Sequence, residues 1–289
     1  MDYEVIVIGG GPAGIAAAIQ LTRYQINTLL LEKNKIGGLV RNAYLVENYP
    51  GFPSGINGES LSNLLHQHIK KIGVPVCFEE VTSLDYQDNL FIVETNNRAL
   101  TSRIVIIATG TIPKKLPEGV VSKDLIGKKF FYEIMHLKDV SNRDILVVGN
   151  GDAAFDYALS LSDKGNKVII ASRSSKPKCI PILEERCFER SSIEYYPNTV
   201  ITSIRKVENH LLVTSSTSKV FTVDYVVAAI GRKPCLGFLS PTVRRDLEKL
   251  CEEQKLYLAG DVKNGRLRQV AISVGDGVRA AMEIIRKRI

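Results

Sequence analysis

The sequence predicts an α/β protein of two three-layer domains, each built on a parallel sheet, with the second domain inserted into the first. Three observations predict it. A strand–glycine turn–helix–strand unit occupies residues 4–32, and the same unit recurs at 144–174. Two connections rich in Pro and Gly, 112–117 and 231–234, bracket the repeat. An internal copy of one supersecondary unit implies two sites of one kind on a single chain. The boundaries follow: 1–113 with 233–289 form the first domain, and 114–232 form the second.

Glu4 to Ile8 is a short apolar run suited to a buried parallel strand. Gly9-Gly10-Gly11-Pro12-Ala13-Gly14 follows and reads G-x-G-x-x-G. Ile15 to Arg23 has helical composition, and Asn27 to Leu31 is a second strand ending at Glu32. Gly9 permits the sharp turn, Gly11 clears the approach to a pyrophosphate, and Gly14 lets the helix pack on the strand. Glu32 accepts hydrogen bonds from a ribose 2′-hydroxyl and repels a 2′-phosphate, which favours an unphosphorylated adenosine, FAD or NAD. The domains are therefore Rossmann-like nucleotide-binding domains.

Ile36-Gly37-Gly38-Leu39 and Glu47-Asn48-Tyr49-Pro50-Gly51-Phe52-Pro53 form a rigid irregular loop. Residues 59–71 read as an amphipathic helix with Leu61, Leu64, Leu65 and Ile69 on one face. Residues 91–95 and 103–107 read as strands, the second running into Ala108-Thr109-Gly110. Such small residues at a strand end allow a close backbone approach to a nucleotide.

In the repeat, 144–148 is strand, and Gly149-Asn150-Gly151-Asp152-Ala153-Ala154 is the fingerprint with Ala in third place. Residues 155–162 are helix and 167–171 strand. That strand ends in Ser172-Arg173-Ser174, followed by Lys176 and Lys178, where the first unit has an acid. Hydroxyls and cations suit a 2′-phosphate, so NADP(H) is favoured, with NAD(H) left open. Residues 194–196, 200–204, 211–214 and 220–223 read as a meander, and 225–230 as a buried strand. Leu256 to Asp261 is a strand ending in small residues and a carboxylate. Residues 270–288 form the last helix.

The composition of these 289 residues is that of an ordinary globular enzyme. No apolar run reaches the ~18 residues of a membrane span, and a strand starting near residue 4 leaves no room for a signal peptide, so a cytoplasmic location is expected. Five scattered cysteines, Cys77, Cys179, Cys187, Cys235 and Cys251, suggest reduced thiols. The net charge of +7 attracts acidic partners. No basic stripe interleaved with aromatics suggests nucleic acid, and no metal is expected.

At residues 9–14, 47–53, 108–110, 149–154 and 259–261 the chain resembles the low-molecular-weight thioredoxin reductase family, over nearly its whole length and in the same order. The resemblance implies an FAD domain carrying an inserted NADPH domain, in a homodimer. It implies FAD contacts from Gly9, Gly11, Pro12, Ala13, Gly14, Glu32, Lys33, Gly38, Leu39, Asn48, Thr109, Gly110, Gly260, Asp261, Arg268, Gln269 and Val270. It implies NAD(P) contacts from Gly149, Gly151, Asp152, Ala153, Ala154, Ser172, Arg173 and Lys178. The family's clamp reads His-Arg-Arg and a further Arg; here it reads Ser172-Arg173-Ser174 and Lys178. The family's redox C-x-x-C is replaced by Phe130-Phe131-Tyr132-Glu133-Ile134-Met135-His136. No dithiol relay forms there. In this respect, and at Asp156-Tyr157-Ala158-Leu159, the chain is similar to the thioredoxin-reductase-like ferredoxin–NADP reductases.

The expected function is electron transfer between NAD(P)H, FAD and an external acceptor, a small acidic ferredoxin or flavodoxin or a thioredoxin-like protein. Tyr132 and His136 are candidate neighbours of the flavin, and Glu133 with His136 is a candidate acid–base pair, although a structural His is the expected reading. Two alternatives stand beside this. One is a disulfide reductase that uses other cysteines, such as Cys179 with Cys187, or works directly on a substrate disulfide. The other is an FAD-binding sensor or partner subunit with a degenerate second site.

Overall fold

The structure, a computed structural model, describes residues 1–288. In chain order, β1 (Tyr3–Ile8), α1 (Pro12–Arg23) and β2 (Thr28–Leu31) form the first unit's nucleus. α2 (Gly58–Ile72) begins at Asn57, whose side-chain oxygen accepts from the Glu59 and Ser60 N–H groups, and stops at Gly73, whose φ of 77° suits glycine. Next come β3 (Val76–Cys77), β4 (Val81–Gln87), β5 (Leu90–Thr95), β6 (Ala99–Ile107) and β7 (Thr111–Pro113).

β8 (Phe130–Phe131), β9 (Asp144–Gly149), α3 (Asp152–Ser162), β10 (Lys167–Ala171), α4 (Pro181–Phe188) and β11 (Ile193–Tyr196) follow. The chain then forms β12 (Ile201–Val207), β13 (His210–Ser215), β14 (Val220–Val223), β15 (Tyr225–Ala229) and β16 (Arg232–Pro234). It ends with α5 (Pro241–Arg245), α6 (Leu247–Glu252), β17 (Leu256–Leu258) and α7 (Val270–Arg288).

Two units divide the chain: 1–41, 46–112 and 233–289 in one, 42–45 and 113–232 in the other. The sequence reading put Asn42–Leu45 in the first domain and Pro113 as its last residue before the insertion. Both belong to the second unit. The reason for the four-residue excursion is local bonding: the Tyr44 N–H donates to Asp156 at 3.0 Å and the Asn42 amide donates to Glu133 at 2.7 Å.

In the larger unit the sheet order is β3-β2-β1-β6-β5-β4, with β17 also on β6. β1 lies parallel to β2 and β6, and successive β1 residues serve opposite faces. Val5 and Val7 join Ile15, Leu21, Ala281 and Ile284 under the helices. Ile6 and Ile8 join Phe91, Leu239, Val243 and Leu250 on the other side. Burial on both faces explains the unbroken apolar run.

The second unit repeats this logic with a parallel sheet in the order β11-β10-β9-β15-β8. Ile145 and Val147 pack on α3, while Leu146 and Val148 pack against the three-stranded sheet β12-β13-β14. The sequence reading placed residues 194–196 in that meander. They pair in parallel with β10 instead, because Ile193 completes the core under α3 and α4. The two Pro/Gly connections pair as the short sheet β16-β7. No helix among the described residues is long and apolar enough to cross a membrane.

Candidate functional sites

The first site is the turn from β1 into α1. Both helices of the paired fingerprints start three residues earlier than their composition suggested, at Pro12 and Asp152. Gly9 has φ 108°, and a Cβ there would stand 2.4 Å from the Ala108 carbonyl oxygen. A Cβ at Gly14 would stand 1.9 Å from the Gly9 oxygen. The protein's own backbone therefore requires these two glycines. Gly11 is different: nothing lies within 4 Å of a Cβ built there, and its φ of −79° is open to any residue. Its lack of a side chain leaves space directly before α1, whose first turn has no side-chain cap. Uncapped N–H groups facing open space fit a bound pyrophosphate.

Glu32 is held beside this turn. One carboxylate oxygen accepts from the Gly10 N–H at 2.7 Å and the other from Asn34 at 2.9 Å. The Gly37 N–H donates to the Gly10 oxygen at 2.8 Å, and Gly38, φ 55°, packs next to Gly11. Leu39 lies in the short helical turn that follows. The Lys33 ammonium points away, to an exposed pair with Glu80 at 3.6 Å.

The rest of this site is gathered from distant stretches. The Asn48 amide donates to Gln269 at 2.6 Å. The Thr109 hydroxyl donates to the Cys235 carbonyl at 2.7 Å, and the Cys235 N–H returns a bond to Gly110 at 3.0 Å. Gly260, φ 78°, turns the chain at the end of β17; its N–H donates to Asp276 at 3.0 Å, while Ser273 donates to Asp261 at 3.2 Å. Arg268 carries a buried Nε without a partner, a donor left for a bound group. Val270 opens α7. Sequence reasoning missed Asp276 and Ser273. Their signal was polar residues on the inner side of the last helix, where apolar ones are expected.

The second site repeats the glycine contrast. A Cβ at Gly149 would stand 2.6 Å from the Ala229 oxygen, whereas nothing lies within 4 Å of one at Gly151. Ala153 and Ala154 sit in the first turn of α3, which has no side-chain cap. The loop after β10 closes onto this turn. The Lys178 N–H donates to the Asn150 carbonyl at 2.9 Å, the Asn150 amide donates to the Lys176 carbonyl at 2.8 Å, and Asp152 accepts from the Ile180 N–H at 2.9 Å. Arg173 and Lys178 are exposed. Ser172 is only 1% exposed, its hydroxyl donating to the Ser174 carbonyl and accepting from the Ser174 N–H. That oxygen is engaged in a tight turn, and the exposed charges of this loop are Arg173, Lys176 and Lys178.

The stretch that replaces the C-x-x-C makes local contacts within this unit. Glu133 pairs with Arg232 at 2.7 Å and accepts from Asn42, while the His136 ring stacks on Phe131 at 5.2 Å. They do not form an acid–base pair. The Tyr132 hydroxyl accepts from the Leu116 N–H at 3.2 Å. All five cysteines are free thiols. Burial pushes Cys187 up to about 12 and Cys179 up to about 11, which withholds the thiolate that exchange needs. Asp156, in the second turn of α3, is raised to about 6 by desolvation, against the opposing bonds from the Tyr44 and Leu45 N–H groups.

Against known proteins, the family model described as "pyridine nucleotide-disulphide oxidoreductase" matches residues 3–277. The thioredoxin reductase of Bacillus subtilis is 31% identical over 98% of this chain and 93% of its own. That of Listeria monocytogenes is 30% identical over 95% and 90%. Among solved structures, Lactococcus lactis thioredoxin reductase in its FR conformation superposes with TM-score 0.85 at 28% identity over 98% of both chains. The T. acidophilum thioredoxin reductase superposes with TM-score 0.85 at 27% identity over 99% of both.

Proposed function

We propose, from the premise that this chain belongs to the pyridine nucleotide-disulphide oxidoreductase family, that it carries electrons from NADP(H) by way of FAD to a separate acidic protein, a ferredoxin or flavodoxin. It is an FAD-dependent NAD(P)H oxidoreductase of the thioredoxin reductase-like kind. The repeated glycine contrast carries the reading: Gly11 and Gly151 each border open space that no part of the chain fills.

In this proposal the first turn of α1 binds the FAD pyrophosphate and Glu32 the ribose. Asn48, bonded to Gln269, and the free Nε of Arg268 orient the ring. Asp261 holds the ribityl chain. Gly151 and the first turn of α3 take the second dinucleotide, with Arg173 and Lys178 on its 2′-phosphate. Bound FAD supplies the chemistry that links a hydride donor to a one-electron carrier. The missing C-x-x-C and the protonated Cys179 and Cys187 argue for an external acceptor. A homodimer in the cytoplasm is proposed from the family.

Anaerobic NADPH is expected to bleach the visible flavin band, and an unchanged band removes the pyridine-nucleotide half. Thiol titration before and after that reduction is expected to give the same count. A gain of two thiols transfers the function to a dithiol relay. The curated relatives' name supports a second reading, reduction of a thioredoxin-type disulfide directly at the flavin. NADPH-dependent reduction of thioredoxin with no change in internal thiols would establish it.

A further inference from the structure

α7 is buried on one side and bare on the other. Ser273, Gly277, Ala280, Ala281, Ile284 and Ile285 face the core. Ile272, Gly275, Arg279, Met282 and Arg286 are exposed and spaced three and four residues apart, so they form one straight stripe about 20 Å long. Two large apolar side chains stand out on it, Ile272 at 37% and Met282 at 41% exposure. The turn leading into α7 adds Leu267, at 71% the most exposed large apolar residue among the described residues.

At the far end the stripe meets the end of α1. There Tyr24, Arg279, Met282, Glu283, Ile285 and Arg286 line a shallow depression of about 470 Å³. The charges along the surface are positive: Arg23, Arg266, Arg279 and Arg286 are exposed, and none has an ion-pair partner among the described residues. Glu283 is the one acid in the depression, and it is half-buried.

We propose that this stripe is the docking surface for the acidic protein partner, a step that rests on the carrier reading above. Isolated apolar residues ringed by unpaired arginines match the composition of a transient interface, with apolar anchors at its centre and charge at its rim. The charges select the occupant. A two-fold contact with a second copy sets this face against itself and places like arginines together, which is unfavourable. A partner that presents carboxylates around an apolar side chain satisfies both features and is steered in by the field of the arginines. The near end of the stripe is the turn holding Arg268 and Gln269, so docking along α7 delivers the partner to the end where the flavin ring is proposed to lie.

The test uses the full FAD-loaded protein with three probes, a [2Fe–2S] ferredoxin, a flavodoxin and a thioredoxin, and measures binding by calorimetry at 20 and 300 mM salt. At least one probe is expected to bind at low salt and to weaken about tenfold or more at high salt. Arg279→Glu with Arg286→Glu is expected to weaken that probe at least tenfold, and Leu267→Ser several-fold. NADPH turnover with ferricyanide stays unchanged in both. No binding by any probe, equal binding by the charge-reversed protein, or a shift from dimer to monomer on charge reversal overturns the docking surface. A probe that binds with this dependence but is never reduced leaves the surface standing and removes the carrier reading.

Discussion

Gly11→Val will keep its stability and lose FAD, whereas Gly14→Val will lose stability. The two glycines sit three residues apart in one motif, yet the structure separates their duties. A Cβ at Gly14 meets the Gly9 carbonyl oxygen at 1.9 Å, backbone against backbone, so no rotamer relieves it. Overpacking of that severity costs about 3 kcal/mol or more, a fall of about 10 °C in melting temperature. A Cβ at Gly11 meets nothing within 4 Å, so the apoprotein should melt within about 3 °C of wild type. Its affinity for FAD should fall by about 100-fold or more, because the side chain fills the space the pyrophosphate needs. Melting of both apoproteins and fluorescence titration with FAD measure the two effects separately. Retention of flavin by Gly11→Val would remove the first site as described.

The second large effect lies at Asp156. Its folded-state value of about 6 is raised from the ordinary 3.8, chiefly by desolvation. Asp152 adds to the rise, while Lys138 and the Tyr44 and Leu45 N–H groups oppose it. The sign is opposite to that of a salt-bridged carboxylate. Between about pH 4 and 6 the folded chain holds a proton that the unfolded chain has released. Stability from this group therefore rises as pH falls through 6 and levels off near 4. The full swing is about 2–3 kcal/mol, the lower figure allowing for partial exposure. Asp2, Glu79 and Asp85 have lowered values and pull the other way at more acid pH. The comparison must therefore be wild type against Asp156→Asn. Denaturant unfolding from pH 8 to pH 5 is expected to show stability rising in the wild type relative to the variant. Parallel curves would refute the assignment.

Much of the fold was legible because its strands are buried on both faces and its glycines recur. Residues 144–148 and 167–171 were readable as strands for this reason, as was the helix over 59–71 from its leucine spacing. β4 was not, since Val81–Gln87 alternates weakly and lies at the sheet's edge. α5 and α6 were missed because elements of 5 and 6 residues carry no periodicity. The bonding of Ser172 was not legible for another reason. Sequence shows that a hydroxyl is present, not that the Ser174 N–H two residues on will claim it. Likewise Asp276 gains its role only when α7 folds back to the Gly260 turn.

The excursion at Asn42–Leu45 bears on how this chain can be cut and recombined. A clean graft of residues 113–232 onto a homologous host would leave behind the backbone donors that Asp156 needs and the amide that Glu133 accepts from. The transplant would expose a carboxylate that the parent shelters. Chimaeras that exchange the insert alone should therefore express poorly, while those that carry the four upstream residues with it should behave as an intact module.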